Sequence, residues 1–173
     1  MVLTGFYLPT MSLVTLILTP RLEGVVKLGI GYWIIQASGA DVSIDLPEGS
    51  TLAPLTISSQ CTSVYGCYEM ELPIPQQNTH QWVMLGHSSP KKTSWSDLRV
   101  TTSDHDCAST TGFTIDEAEN LGLFHNQAWH YNSATNSYDL IEHTALLNSW
   151  GGFWSVTLQN AEGLNPKLLV SVR

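Results

Sequence analysis

Positive charge, cysteine and long apolar runs are all scarce in this chain, and each shortage removes a class of function. Lys and Arg number 7 against 15 Asp and Glu in 173 residues, for a net charge of −8. The basic residues Arg21, Lys27, Lys91, Lys92, Arg99, Lys167 and Arg173 never form a run longer than two. A surface that tracks a phosphate backbone needs clustered cations, so no nucleic-acid partner is expected. Residues 1–20 carry no charge at all, yet the cationic start of a signal peptide is missing, because the first charge is Arg21. Pro9 and Pro20 bracket an apolar run of about ten residues, too short for a helix to span a bilayer. These residues are expected to be a strand pair of the β core, and no signal peptide or membrane partner is recognised.

Three cysteines, Cys61, Cys67 and Cys107, cannot all pair within one chain, and none has CxxC spacing. Cys61 and Cys67 flank TSVYG and can close a hairpin in an oxidising compartment; structural or free thiols are the favoured reading. No Asn is followed by x-Ser/Thr, so secretion gains no support and the compartment stays open. P-loop, dinucleotide fingerprint and GxSxG elbow are absent, and no cofactor is expected. His80, His87, His105, His125, His130 and His143 show neither HExxH nor repeated His-x-His spacing, so no metal is expected.

What is present suits one β domain over 1–173: 43% apolar and 13% charged residues are enough for a core. Short β-rich runs are separated by turn residues: 12–18, 25–37, 41–46, 53–58, 68–74, 81–86, 97–102, 153–159 and 167–172. One helix is predicted near 114–122. There Thr114-Ile-Asp-Glu117 forms a capping-box pattern and Gly122 stops the helix.

The strongest internal pattern involves Trp33, Trp82 and Trp129, spaced by 49 and 47 residues in YWIIQASGADVSIDL, QWVMLGHSSPKKTSWSDL and AWHYNSATNSYDL. In each copy a Trp strand enters a polar turn, and a second strand brings in Asp45, Asp97 or Asp139 followed by Leu. Three such hairpins would build one threefold core around largely buried indoles. A trefoil-like threefold barrel is therefore favoured, with a lipocalin-like barrel or a β-sandwich as alternatives.

Asn126-Gln127-Ala128-Trp129 resembles the Asn-Gln-x-Trp segment of ricin-type β-trefoil lectins. The resemblance implies a sugar site in which Asn126 shares a hydroxyl with Asp104 or Asp106, while Gln127 and Trp129 hold the lobe. Only this copy carries the full segment, so at most one site is expected; the same residues also suit a turn beside a core Trp. Gly31-Tyr32-Trp33 is similar to the Gly-x-Trp signature of lipocalin-like barrels, which implies an interior for small apolar ligands. Asn148-Ser149-Trp150-Gly151-Gly152 is similar to a loop of papain-like proteases, but no cysteine stands in a Cys-Gly-x-Cys-Trp segment, and no protease is expected.

The function expected first is a non-enzymatic carbohydrate-binding module, with Asp104, Asp106, Asn126 and Gln127 as ligand residues. The alternative is a small-molecule barrel acting as a carrier or as a cofactor-free cyclase or isomerase, whose pocket catalysis leaves almost no linear motif. A structural or assembly protein stands third, and homo-oligomerisation is left open.

Overall fold

The structure is a computed structural model that describes residues 11–17, 29–31, 33–38, 55–56, 61–63, 65–76, 79–87, 89, 91–103, 111–149 and 151–172. Its elements are β1 (Met11–Ile17), β2 (Trp33–Ser38), β3 (Cys67–Glu71), β4 (Gln81–Gly86) and β5 (Thr93–Ser94), then a 3-10 turn (Trp95–Asp97). They continue with β6 (Arg99–Thr101), β7 (Phe113–Thr114), α1 (Ile115–Asn120), β8 (Ala128–Asn132), β9 (Ser137–Ile141) and β10 (Leu146–Leu147). β11 (Gly152–Thr157), a second 3-10 turn (Gln159–Ala161) and β12 (Lys167–Ser171) complete the chain.

Two antiparallel four-stranded sheets, ordered β4-β11-β8-β9 and β3-β12-β6-β7, hold most of the described strand residues. Two-stranded ribbons join β1 to β2 and β10 to β5. The all-β reading therefore holds, with one short α-helix among the described residues.

Strand alternation explains how the two sheets share a core. Val83 and Leu85 on β4 are buried and lie opposite Ser155 and Phe153 on β11, whereas Gln81 and Trp82 are exposed. On the other sheet Met70 pairs with Leu168, which also pairs with Val100, and all three are buried. These side chains join Ala128, Ile141, Leu123 and Phe124 in one cluster. At its centre is Trp95, 0% exposed, edge-on to Phe153 at 5.5 Å and 6.2 Å from Phe124. Its indole N–H donates to the Asn126 carbonyl at 2.6 Å, which satisfies the one polar atom of a buried indole.

The helix forms as its sequence predicts. Thr114 Oγ1 accepts from the Glu117 N–H at 3.1 Å and the Glu117 carboxylate accepts from the Thr114 N–H at 2.8 Å, a reciprocal cap. Those hydrogen bonds hold the Glu117 carboxyl below the usual carboxylate range. Gly122, at φ +69°, ends the helix in the left-handed conformation.

The threefold repeat and barrel closure are not found. Among the described residues β2 pairs with β1, β4 pairs with β11, and only β8 makes the expected hairpin, turning at 133–136 into β9. Asp97 ends a 3-10 turn instead of entering a second strand, and 41–46 lie outside the described residues. Trp82 and Trp129 stand in one sheet, not on separate lobes, and Trp82 is 55% exposed where a core position was expected. Hydrogen-bond pairing is set by chain crossings between sheets, which the spacing of the tryptophans does not encode. No described sheet closes on itself.

Gly31 has a packing reason of its own: a Cβ there would lie 2.6 Å from Met84 Cγ and 2.9 Å from the Leu85 carbonyl. Its N–H donates to the Met84 carbonyl at 2.9 Å, so this segment runs against the edge of β4. Of residues 1–20, 11–17 form β1 in its ribbon and the rest lie outside the described residues. The thiol reading is corrected as well, since Cys61 and Cys67 form a disulfide. Thr56 and Cys67 exchange two backbone hydrogen bonds of 2.9 Å beside that disulfide. No helix among the described residues is long and apolar enough to cross a membrane.

Candidate functional site

The face of β4-β11-β8-β9 turned away from the core is built almost wholly of large apolar side chains. Register sets Trp82 beside Val156, Met84 beside Trp154, Trp154 beside Trp129, Trp129 beside Leu140, and Tyr131 beside Tyr138. Because strand side chains alternate, residues that match across four strands share one side of the sheet. The rings then gather. Trp82 and Trp129 meet across β11 with centroids 5.5 Å apart and planes tilted by 52°. Tyr131 and Tyr138 are edge-on at 5.5 Å.

Trp82, Trp129, Tyr138 and Trp154 line an open cleft of about 380 Å³. Trp82 and Tyr138 are more than half exposed, while Trp129 and Trp154 are partly buried. The Trp154 indole N–H is closed off and finds no acceptor, a cost that a fold seldom carries without a reason.

Polar groups gather at the Trp129 end. His125 sits edge-on to Trp129 at 5.7 Å, and its Nδ1 lies 3.0 Å from Glu119 Oε2 on α1. The same carboxylate oxygen accepts from the Asn126 N–H at 2.8 Å. The hairpin beyond is braced by Asn132 Nδ2 donating to Asp139 at 2.7 Å and by Tyr131 Oη donating to the Asn136 amide oxygen. Asn136, at φ 54°, supplies the left-handed turn residue.

Of the four residues expected to hold a ligand, Asp104 and Asp106 lie outside the described residues. The Asn126 side chain donates to Asp116 Oδ1 at 3.2 Å, and Gln127, exposed, offers its carbonyl to Ser155 Oγ at 3.0 Å. Trp33 opens β2, and Trp129 lines the cleft. Sequence reasoning missed Trp154, Tyr138 and the core residue Trp95. The signal was there in QWVMLG and FWSVTL, where alternation puts a Trp outward next to inward Val83 and Phe153.

No group of three His, Cys, Asp or Glu that could hold a metal occurs among the described residues. His87, 1% exposed, has a pKa lowered to about 4 by burial, with only the Ser89 backbone pulling the other way, and neither ring nitrogen has a well-formed hydrogen bond. It stays neutral and takes no part in the cleft. Comparison with protein-family models, curated proteins and solved structures finds no match.

Proposed function

We propose that the protein is a non-enzymatic carbohydrate-binding module whose ligand stacks in the Trp82–Trp129–Trp154–Tyr138 cleft. The observation that carries this reading is the cleft itself: four aromatic side chains on the outward side of a sheet that already has its core on the inward side. An aromatic face attracts the partly positive C–H face of a sugar, and the Tyr138 phenol beside it is of a type that hydrogen-bonds hydroxyls. We read the two sheets as a β-sandwich, a rigid frame for such a face. The Asn126 loop contributes by holding Glu119 and, through it, His125, in place of direct ligation by Asn126 and Gln127. The disulfide fits work in an oxidising compartment.

A glycan array followed by calorimetry tests the proposal. A single open cleft with few hydrogen bonds should bind with about 4–6 kcal/mol, on the order of millimolar to tens of micromolar affinity. Trp129→Ala should abolish binding with the near-ultraviolet spectrum otherwise retained. A wild-type protein that binds no glycan overturns the reading.

One observation favours a second reading. The apolar face extends beyond the cleft to Tyr131 and Leu140, both exposed, as an interface between copies of this chain would. Sedimentation of the free protein separates the two, because an assembly face would associate without sugar. A carrier or cyclase fits less well, since the cleft is open and no closed barrel is formed among the described residues.

A further inference from the structure

Resting on the carbohydrate reading, we infer that the ligand is a chain of sugar units joined by equatorial linkages. One unit stacks in the cleft, and the next runs past Trp154 onto a bare stretch of sheet at Gly152. The cleft is open on the side away from the sheet, so a stacked sugar meets aromatic rings with one face and keeps its other face in water. A chain can lie along such a site and need not enter it by its end.

The outward positions of β4 and β11 set the direction in which the chain continues. Trp82 pairs with Val156 and Met84 with Trp154; one alternation further, Gly86 pairs with Gly152. Leu85 and Phe153, which pair between these rows, are buried in the core, so both glycines fall on the outward side. The aromatic wall therefore ends at two adjacent positions that have no side chain. Gly152 stands two residues from Trp154 on one strand, a rise of about 7 Å, enough for one further sugar unit.

The two glycines differ in what requires them. A Cβ on Gly86 would lie 3.1 Å from the Ile30 carbonyl oxygen, so the segment along the edge of β4 demands a glycine there. A Cβ on Gly152 would meet only the Leu85 carbonyl oxygen among the described residues, at 3.8 Å, an ordinary contact. Its φ is not in the left-handed region either. Packing and backbone both admit a side chain at this exposed position, and a glycine inside a strand weakens it. The missing side chain preserves close approach to the strand, and Gly152 is the position that lets a second unit follow the first.

The linkage follows from the path. Trp154 and Gly152 lie along one strand, so successive units advance in one direction across a level surface. Equatorial linkages keep a sugar chain extended, with C–H bonds on the face that meets the sheet. An axial linkage turns the next unit away from Gly152.

The full-length protein and its Gly152→Val and Gly152→Ala variants are titrated, with binding followed by NMR. The ligands are glucose, xylose, N-acetylglucosamine, their β-1,4-linked oligosaccharides of increasing length, and the α-1,4-linked glucose series. In at least one β-linked series the disaccharide should bind wild type about tenfold more tightly than its monomer, whereas the α-linked disaccharide should gain nothing. Gly152→Val should bind the monomer as wild type does and lose the tenfold gain, with a urea midpoint no lower than that of wild type. Gly152→Ala should lose part of the gain. Binding confined to single sugars, an equal gain in the α-linked series, a Gly152→Val variant that keeps the gain, or valine and alanine variants that both lose stability each overturn the inference while leaving the carbohydrate reading standing. Absence of binding to every glycan removes both.

Discussion

On the side of β3-β12-β6-β7 turned from the core, Leu169 is buried against the Cys61–Cys67 disulfide, and Lys167 pairs with Glu69 at 2.8 Å. On the corresponding side of β4-β11-β8-β9, Trp82 is 55% and Tyr138 51% exposed, and Leu140 and Tyr131 are exposed with them. Both sheets use their inward side chains for the same cluster, so the difference lies wholly in the outward positions. One face is completed by the chain's own cross-link and ion pair. The other presents apolar area that burial would stabilise by roughly 25 cal/mol per Å², and the chain does not cover it with any described element. Under the proposed reading, this aromatic face is where the ligand binds.

The sharpest way to break this comparison is to exchange the roles of the tryptophans. Trp95→Ala removes the centre of the core and should lower stability by about 3–5 kcal/mol in urea unfolding. Trp82→Ala should cost less than about 1 kcal/mol, because its ring is already mostly in solvent. If the two variants lose equal stability, the outward face is structural and the cleft has no spare aromatic surface to offer a ligand.

A second test acts on the aromatic sheet alone. His87 directly follows β4, and its N–H donates to the Gly151 carbonyl at 2.9 Å where β11 begins. Its pKa falls from 6.5 in the unfolded chain to about 4 in the fold, chiefly through burial. Between those values the unfolded chain takes up the proton and the folded one does not, so stability is fully present above pH 6.5 and declines as pH falls toward about 4. The total should be roughly 3 kcal/mol. His87→Leu should flatten this part of the stability profile; an unchanged slope would assign it to carboxylates instead.

These expectations show how much was legible beforehand. Strand positions were readable because alternation and turn residues are local: the run 81–86 matches β4 residue for residue, and the Thr114–Glu117 cap begins α1. Which strands pair was not readable, because β11 enters between β4 and β8, and β12 between β3 and β6, after most of the chain has been laid down. That late insertion brings Trp154 between Trp82 and Trp129 and makes the cleft. The spacing of Trp33, Trp82 and Trp129 pointed to a shared core, yet the indole at the centre is Trp95, whose role depends on the partners Phe124 and Phe153. A sugar site was anticipated at Asn126, whose N–H donates to Glu119; of the motif's residues Trp129 lines the cleft, and the other walls, Trp82, Trp154 and Tyr138, come from outside it.

The closed face gives a smaller effect. Cys61→Ser with Cys67→Ser opens a short loop and should cost about 2 kcal/mol by the loop-closure relation. Because the bridge belongs to the other sheet, glycan affinity should stay within about twofold of wild type. A loss of binding equal to that of Trp129→Ala would mean that the two faces are coupled through the core.

The smallest effect expected is at the ion pair that completes the same face. Lys167 is 40% and Glu69 22% exposed at the side chain, so water already screens their 2.8 Å contact. Exposed pairs contribute about 0–1 kcal/mol, and Lys167→Met should therefore shift the urea midpoint only slightly. Its value lies in what it does to the surface: the variant places an uncharged side chain in the row that contains Leu169, and this face begins to resemble the aromatic one. If an exposed apolar face is what draws partners, sedimentation of Lys167→Met should show new self-association that a glycan bound in the cleft does not relieve. Any association through the aromatic cleft, by contrast, should be relieved by sugar. A variant that remains as monodisperse as its parent would show that apolar area alone does not make a binding face here, and that the tilted rings of Trp82 and Trp129 supply what the closed face lacks.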